Sequence, residues 1–146
     1  MPLKVELKPN ERIIVGDCLL INGEQRARFT IKGTAPVLRE KDIMIPDQAD
    51  TPAKRIYLMV QLMYTSHDPG RHHELYFSLV RDISQAAPST WPLIESINNQ
   101  ILTGNLYKAL KESRKLIEYE RELMLNAKRG AGLRKRGKAD LEPARA

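Results

Sequence analysis

A single cysteine, Cys18, occurs among the 146 residues, so no intramolecular disulfide can form and no cysteine-based metal cluster can be built. Its neighbours Leu19, Leu20 and Ile21 are apolar, and a buried thiol acting as a small hydrophobe is expected there. Long hydrophobic runs are also missing. The longest, 56–60, resumes after Gln61 at 62–64, well short of the roughly 20 residues that span a bilayer. The opening MPLKVELKP has no apolar stretch of the length a secretory signal needs. The expectation is a cytoplasmic protein with no membrane association.

Catalytic signatures are absent as well. There is no Ser-His-Asp motif, nucleophile elbow or glycine-rich dinucleotide loop, and the carboxylates are scattered among basic residues. GLRKRGK at 132–138 has the form G-x-x-x-x-G-K, yet Ala139 stands where a Ser or Thr would hold magnesium. His67, His72 and His73 lack the H-E-x-x-H spacing, and adjacent helical histidines point in different directions. They read as surface or helix-start residues. A non-enzyme without metal or cofactor is expected, and no internal repeat is found.

What is present is enough apolar material for a packed core, 42% of residues, and an excess of positive charge. Of the net +6, residues 129–146 contribute +4, because six basic side chains there face only Asp140 and Glu142. A basic tail attracts RNA, DNA and acidic proteins alike, so it implies a polyanionic partner without choosing one.

Turn residues divide the first 38 positions into four β candidates at 3–8, 12–15, 18–21 and 26–32. Pro9-Asn10, Gly16-Asp17, Asn22-Gly23 and Gly33 bound them, and Asn22-Gly23 favours a tight type I′ hairpin. In the fourth candidate, Arg26, Arg28, Thr30 and Lys32 alternate with Ala27, Phe29 and Ile31, giving one apolar and one wet, partly basic face. Beyond Pro46 the pattern becomes helical. Asp50-Thr51-Pro52 forms a helix start, and the helix to about 66 is apolar almost all round, so protein must surround it. Further helices are expected at 72–87, 93–103 and 106–128, the last with a seven-residue apolar beat that suits pairing within or between chains. The fold class is therefore α+β: an antiparallel β-module (1–45), a four-helix region (50–128) and a basic tail (129–146) expected to be disordered.

Arg39, at the exit of the β-module in APVLREKDI, is the one candidate for specific chemistry. It either presents planar donors to a guanine edge or phosphate, or forms an ordinary surface pair with Glu40. An RNA surface would add Lys4, Arg26, Arg28 and Lys32, with Arg134, Lys135 and Arg136 of the tail supplying salt-dependent affinity. A protein-binding face, or simply a core, would use Ile56, Leu58, Met59, Leu62, Met63, Leu116 and Leu123.

Taken together, MPLKVELKPNERIIVGD, APVLREKDI and ADTPAKRIYLMVQLMY resemble the flagellum biosynthesis repressor FlbT family over roughly residues 1–128. That resemblance implies post-transcriptional control of flagellin, through association with the 5′ untranslated region of its mRNA and promotion of mRNA degradation. Some members of the family instead support flagellin synthesis. It also implies a partnership with the flagellar regulator FlaF; the rival reading is an adaptor that binds FlaF or flagellin itself. The β-module alone looks like the carbon-storage regulator CsrA, which pairs strands between two chains and binds GGA-containing leaders. On that likeness Arg39 matches the RNA-contacting arginine, and Val5 and Leu7 lie on a strand lining the same edge. Leu7 and Asn10 depart from the pattern at a basic residue and a glycine. Open strand edges within so small a module favour exchange with a second chain, most simply as a dimer.

Overall fold

The computed structural model describes the backbone of residues 2–145 and the side chains of residues 2–129. The α+β architecture is observed: β1 (Leu3–Leu7), β2 (Arg12–Val15), β3 (Cys18–Ile21), β4 (Ala27–Ile31) and β5 (Val37–Arg39) precede α1 (Pro52–Thr65), α2 (His73–Ala86), α3 (Trp91–Leu102) and α4 (Leu106–Arg145). β1 pairs antiparallel with β4, Leu3 opposite Ile31 and Leu7 opposite Ala27. The other three strands form a separate sheet in the order β3-β2-β5.

Strand alternation explains the layering. On β2 and β5, Ile13, Val15 and Val37 join Val5, Leu7, Phe29 and Ile31 of the two-stranded sheet in one small core. Ile14 and Leu38 point the other way and join the helical core. The β2–β5 part of this sheet is thus filled on both faces, and the complete burial of Ile13 and Leu38 is worth about 1.5–3 kcal/mol each. β3 lies at the open edge, where all four of its residues are exposed. Cys18 is therefore an exposed thiol, contrary to the expectation from its apolar neighbours.

The β2–β3 hairpin turns on Gly16-Asp17, with Val15 opposite Cys18. Gly16 has φ 64°, at a position where mirror-type hairpins take glycine. Asn22-Gly23 makes no hairpin, because β3 and β4 belong to different sheets. Instead the Asn22 side-chain amide donates to the carbonyls of Lys8 at 2.8 Å and Gln25 at 2.9 Å, tying the crossing between sheets.

In the helical region α1 packs against α2 and α4, and α3 against α4. Thr51 caps α1 by accepting from the Lys54 amide at 3.3 Å, with Pro52 in the first turn as the sequence suggests. Glu120 of α4 adds an acceptor for the Ala53 amide at 2.9 Å. α3 begins at Trp91, earlier than its apolar spacing implies, because Pro92 in a first turn forfeits no helical hydrogen bond. Gln61, the polar interruption of α1, is buried: it accepts from the Met44 amide at 2.7 Å and donates to the Met44 carbonyl at 3.0 Å. That reciprocal pair fastens the link between the β-module and α1 onto the helix.

Ile56, Met59, Met63 and Leu116 are buried within the chain's own helical core, so they do not face outward. Leu58 and Leu123 are half-buried and Leu62 is exposed.

Candidate nucleic-acid interface

β5 ends at Arg39, and a 3-10 turn over Glu40–Asp42 follows directly. This tight turn sends Asp42 inward, 3% exposed, while Arg39 and Lys41 stay on the surface. Glu40 is held by Arg12 at 3.1 Å, so the Arg39–Glu40 pair considered from the sequence does not form. Among the described residues no ion pair involves Arg39. Its guanidinium keeps its fork of donors for a ligand.

α4 passes behind this turn. Asp42 Oδ1 lies 2.9 Å from Arg114 Nη2 and 3.6 Å from Lys111 Nζ. The oxygen nevertheless accepts no well-aligned hydrogen bond, so the attraction is chiefly coulombic. Arg114 Nη2 also donates to the Lys41 carbonyl and the Tyr57 hydroxyl, both at 3.2 Å. The Tyr57 hydroxyl donates to the Asp42 carbonyl. Burial raises the Tyr57 hydroxyl above its ordinary pKa, with Arg114 opposing, so it stays a neutral donor.

Tyr107 and Tyr64 stand beside this cluster, ring centroids 5.7 Å apart and planes tilted by 48°. Tyr64 is fixed by its hydroxyl, which donates to the Val37 carbonyl at 3.2 Å. The Lys111 ammonium sits 5.0 Å from the centroid of Tyr107. Interaction with the Tyr107 side chain, then Asp42, holds the Lys111 pKa above its usual value, which keeps the group cationic. These groups border a cleft of about 510 Å³ between the β-module and the helices, with Arg39, Lys41, Tyr64 and Tyr107 on its walls and Leu3 and Ile31 as apolar lining. Arg39 and Lys41 stand against the single carboxylate of Asp42 in the lining of this cleft, Lys111 adds a cation beside Tyr107, and Arg114 lines a neighbouring hollow.

The predicted RNA residues fall on two surfaces. Arg39 lines the cleft, whereas Lys32 is exposed and does not line it. Lys4 and Arg28 project from the outer face of the β1–β4 sheet and line a separate shallow hollow. There Glu6 engages both Arg26, at 3.1 Å, and Arg28, at 3.7 Å, which offsets part of that face's charge. Val5 and Leu7, expected on the arginine's edge, are 2% and 3% exposed instead, because β1 pairs with β4 rather than with β5. Arg134, Lys135 and Arg136 lie outside the described side chains. Sequence reasoning missed Lys41, Tyr64, Tyr107, Lys111 and Arg114. Only the i, i+4 spacing of Tyr107 and Lys111 hinted at a shared helix face.

Residues 3–124 match a family model described as "Flagellar protein FlbT". The chain is 61% identical over 124 residues to the "Probable flagellum biosynthesis repressor protein FlbT 1" of Bradyrhizobium diazoefficiens, covering 84% of this chain and 85% of the relative. It is 50% identical over 124 residues to a "Probable flagellum biosynthesis repressor protein FlbT" of Rhodopseudomonas palustris, covering 85% and 98% respectively. It is 38% identical over 125 residues to the "Flagellum biosynthesis repressor protein FlbT" of Caulobacter vibrioides, covering 84% and 89%. No solved structure matches. No helix among the described residues is long and apolar enough to cross a membrane.

Proposed function

The chain belongs to the FlbT family of flagellar proteins, and from that membership we propose that it is a repressor of flagellum biosynthesis acting in the cytoplasm after transcription. It associates with the 5′ untranslated leader of flagellin mRNA and promotes degradation of that message. The repressor role rests on the names its relatives carry. The observation that supports the RNA step best is Arg39: exposed, free of ion pairs among the described residues, and opening onto a cleft that Lys41 also lines. Its planar donors suit a guanine edge or a phosphate, and Lys41 and Lys111 add field without sequence preference. The mechanism is occupancy of the leader, with no chemistry on the RNA by this chain.

A gel-shift series tests this with flagellin leader RNA and a scrambled control of equal length. Arg39→Ala should reduce leader binding most, while removal of residues 129–146 should weaken both RNAs alike. Equal binding of the two RNAs by the wild type, lost on tail removal, would refute specific recognition.

A second reading draws on β3. Leu19, Leu20 and Ile21 are 51%, 45% and 66% exposed on an unpaired sheet edge, an arrangement that invites strand addition. On this reading the protein is an adaptor whose β3 edge receives FlaF, flagellin or a second copy in a dimer. Leu20→Lys should then abolish co-purification and leave leader binding intact.

A further inference from the structure

Proteins that hold single-stranded nucleic acid combine a cationic groove with aromatic rings on which bases stack. The cleft between β5 and α4 has both parts. Tyr107 is 43% exposed although its ring already meets Tyr64 and Lys111, so much of its surface still faces water. Tyr64, tied through its hydroxyl to the Val37 carbonyl, packs its ring against that of Tyr107. Leu3, Ile31 and Val37 supply an apolar lining, while Arg39 and Lys41 stand on the same walls. The cleft volume of about 510 Å³ lies within the range of sites that hold small organic ligands. An exposed aromatic ring and apolar residues on walls that also carry two cations match a nucleotide, whose base is a flat π-surface and whose phosphate is an anion.

We propose that this cleft is a docking site for one unpaired nucleotide of single-stranded RNA, its base against Tyr107 and its phosphate among Arg39, Lys41 and Lys111. This inference rests on the RNA-binding reading above and adds an aromatic component to it. Contact is to a π-face and a phosphate, so the site tolerates any base and contributes affinity. Base preference, where it exists, comes from Arg39. Asp42 and Tyr57 act as positioning residues: Asp42 holds Lys111 next to the Tyr107 wall, and the Tyr57 hydroxyl fixes the turn carrying Lys41. An acidic peptide without aromatic side chains would satisfy the cations but offer Tyr107 nothing to stack.

The test is fluorescence anisotropy of the full chain with labelled single-stranded leader RNA, an abasic strand of equal length and charge, and poly-glutamate. The wild type should bind the leader more tightly than either control. Tyr107→Ala should weaken leader binding about 5- to 150-fold, leave abasic binding unchanged and preserve the salt slope. Tyr107→Phe, which keeps the ring, should retain affinity, and Lys111→Ala should lower the salt slope by about one. Thermal melts of each variant establish that the fold is intact. If leader and scrambled RNA bind the wild type equally but Tyr107→Ala still weakens binding of both and leaves abasic binding unchanged, specific leader recognition fails and the nucleotide cleft stands. If the wild type prefers the leader and Tyr107→Ala binds it undiminished, the cleft is overturned while RNA recognition stands. No binding of any RNA, or poly-glutamate bound as tightly as RNA, overturns both.

Discussion

Asp42 joins the turn after β5 to α4, and Asp42→Asn removes its charge while preserving its shape. Its carboxylate oxygen lies 2.9 Å from Arg114 and 3.6 Å from Lys111. At an effective dielectric near 20, each contact supplies about 5 kcal/mol of attraction. Removing a carboxylate from water costs several kcal/mol in return. The two cations repel one another, and each keeps 41% side-chain exposure, so water already answers much of their charge. The net loss is about 2 kcal/mol, less than the roughly 3–5 kcal/mol of breaking a fully buried pair because both cations remain partly in water, or about 4–8 °C in melting temperature for a chain of this size. Thermal unfolding followed by circular dichroism at neutral pH measures it. Raising the salt should change the difference only slightly, because the carboxylate is 3% exposed. A melting temperature equal to that of the wild type would refute the argument, since the attraction would then only offset the cost of burying the charge.

Gln61→Ala strips both hydrogen-bond partners from the Met44 backbone and should cost about 2–3 kcal/mol in denaturant unfolding. Leu38→Ala opens a cavity where β5 meets the helices and should cost about 2–5 kcal/mol by the same assay. Burial raises the hydroxyls of Tyr57, Tyr64 and Tyr76 above their ordinary value. The folded chain therefore keeps protons that the unfolded chain releases above about pH 10, and stability falls as pH rises past that point. For Tyr76, fully buried, the slope is about 1.4 kcal/mol per pH unit. In an alkaline titration by ultraviolet absorbance these three tyrosines should ionise together with unfolding; their reversible ionisation in the folded chain would contradict the burial argument.

The helices were legible because their signals are local. Thr51-Pro52 marks a start, and the apolar spacing of 56–64 and 94–101 needs no knowledge of the rest of the chain. β5 escaped notice because it is three residues long and follows Pro36, so no alternation could build up. Asn22-Gly23 misled for a different reason. Its turn preference is intrinsic, but the strands on either side pair with other partners, and tertiary pairing decides register. Cys18 misled similarly, since apolar neighbours imply a core only where the sheet is covered, and β3 is not. Of the candidate site, Arg39 was visible as an arginine leaving a module. Its setting was not, because Tyr64, Tyr107 and Lys111 reach it only through the docking of α1 and α4 against β5.

Crosslinking of bound RNA followed by sequencing, with wild type and Arg39→Ala compared in cells, tests the central claim most directly. Wild-type crosslinks should concentrate in the flagellin 5′ leader and fall sharply in Arg39→Ala at equal protein level. A flat distribution across transcripts, or a flagellin peak of equal height in the variant, would contradict the account.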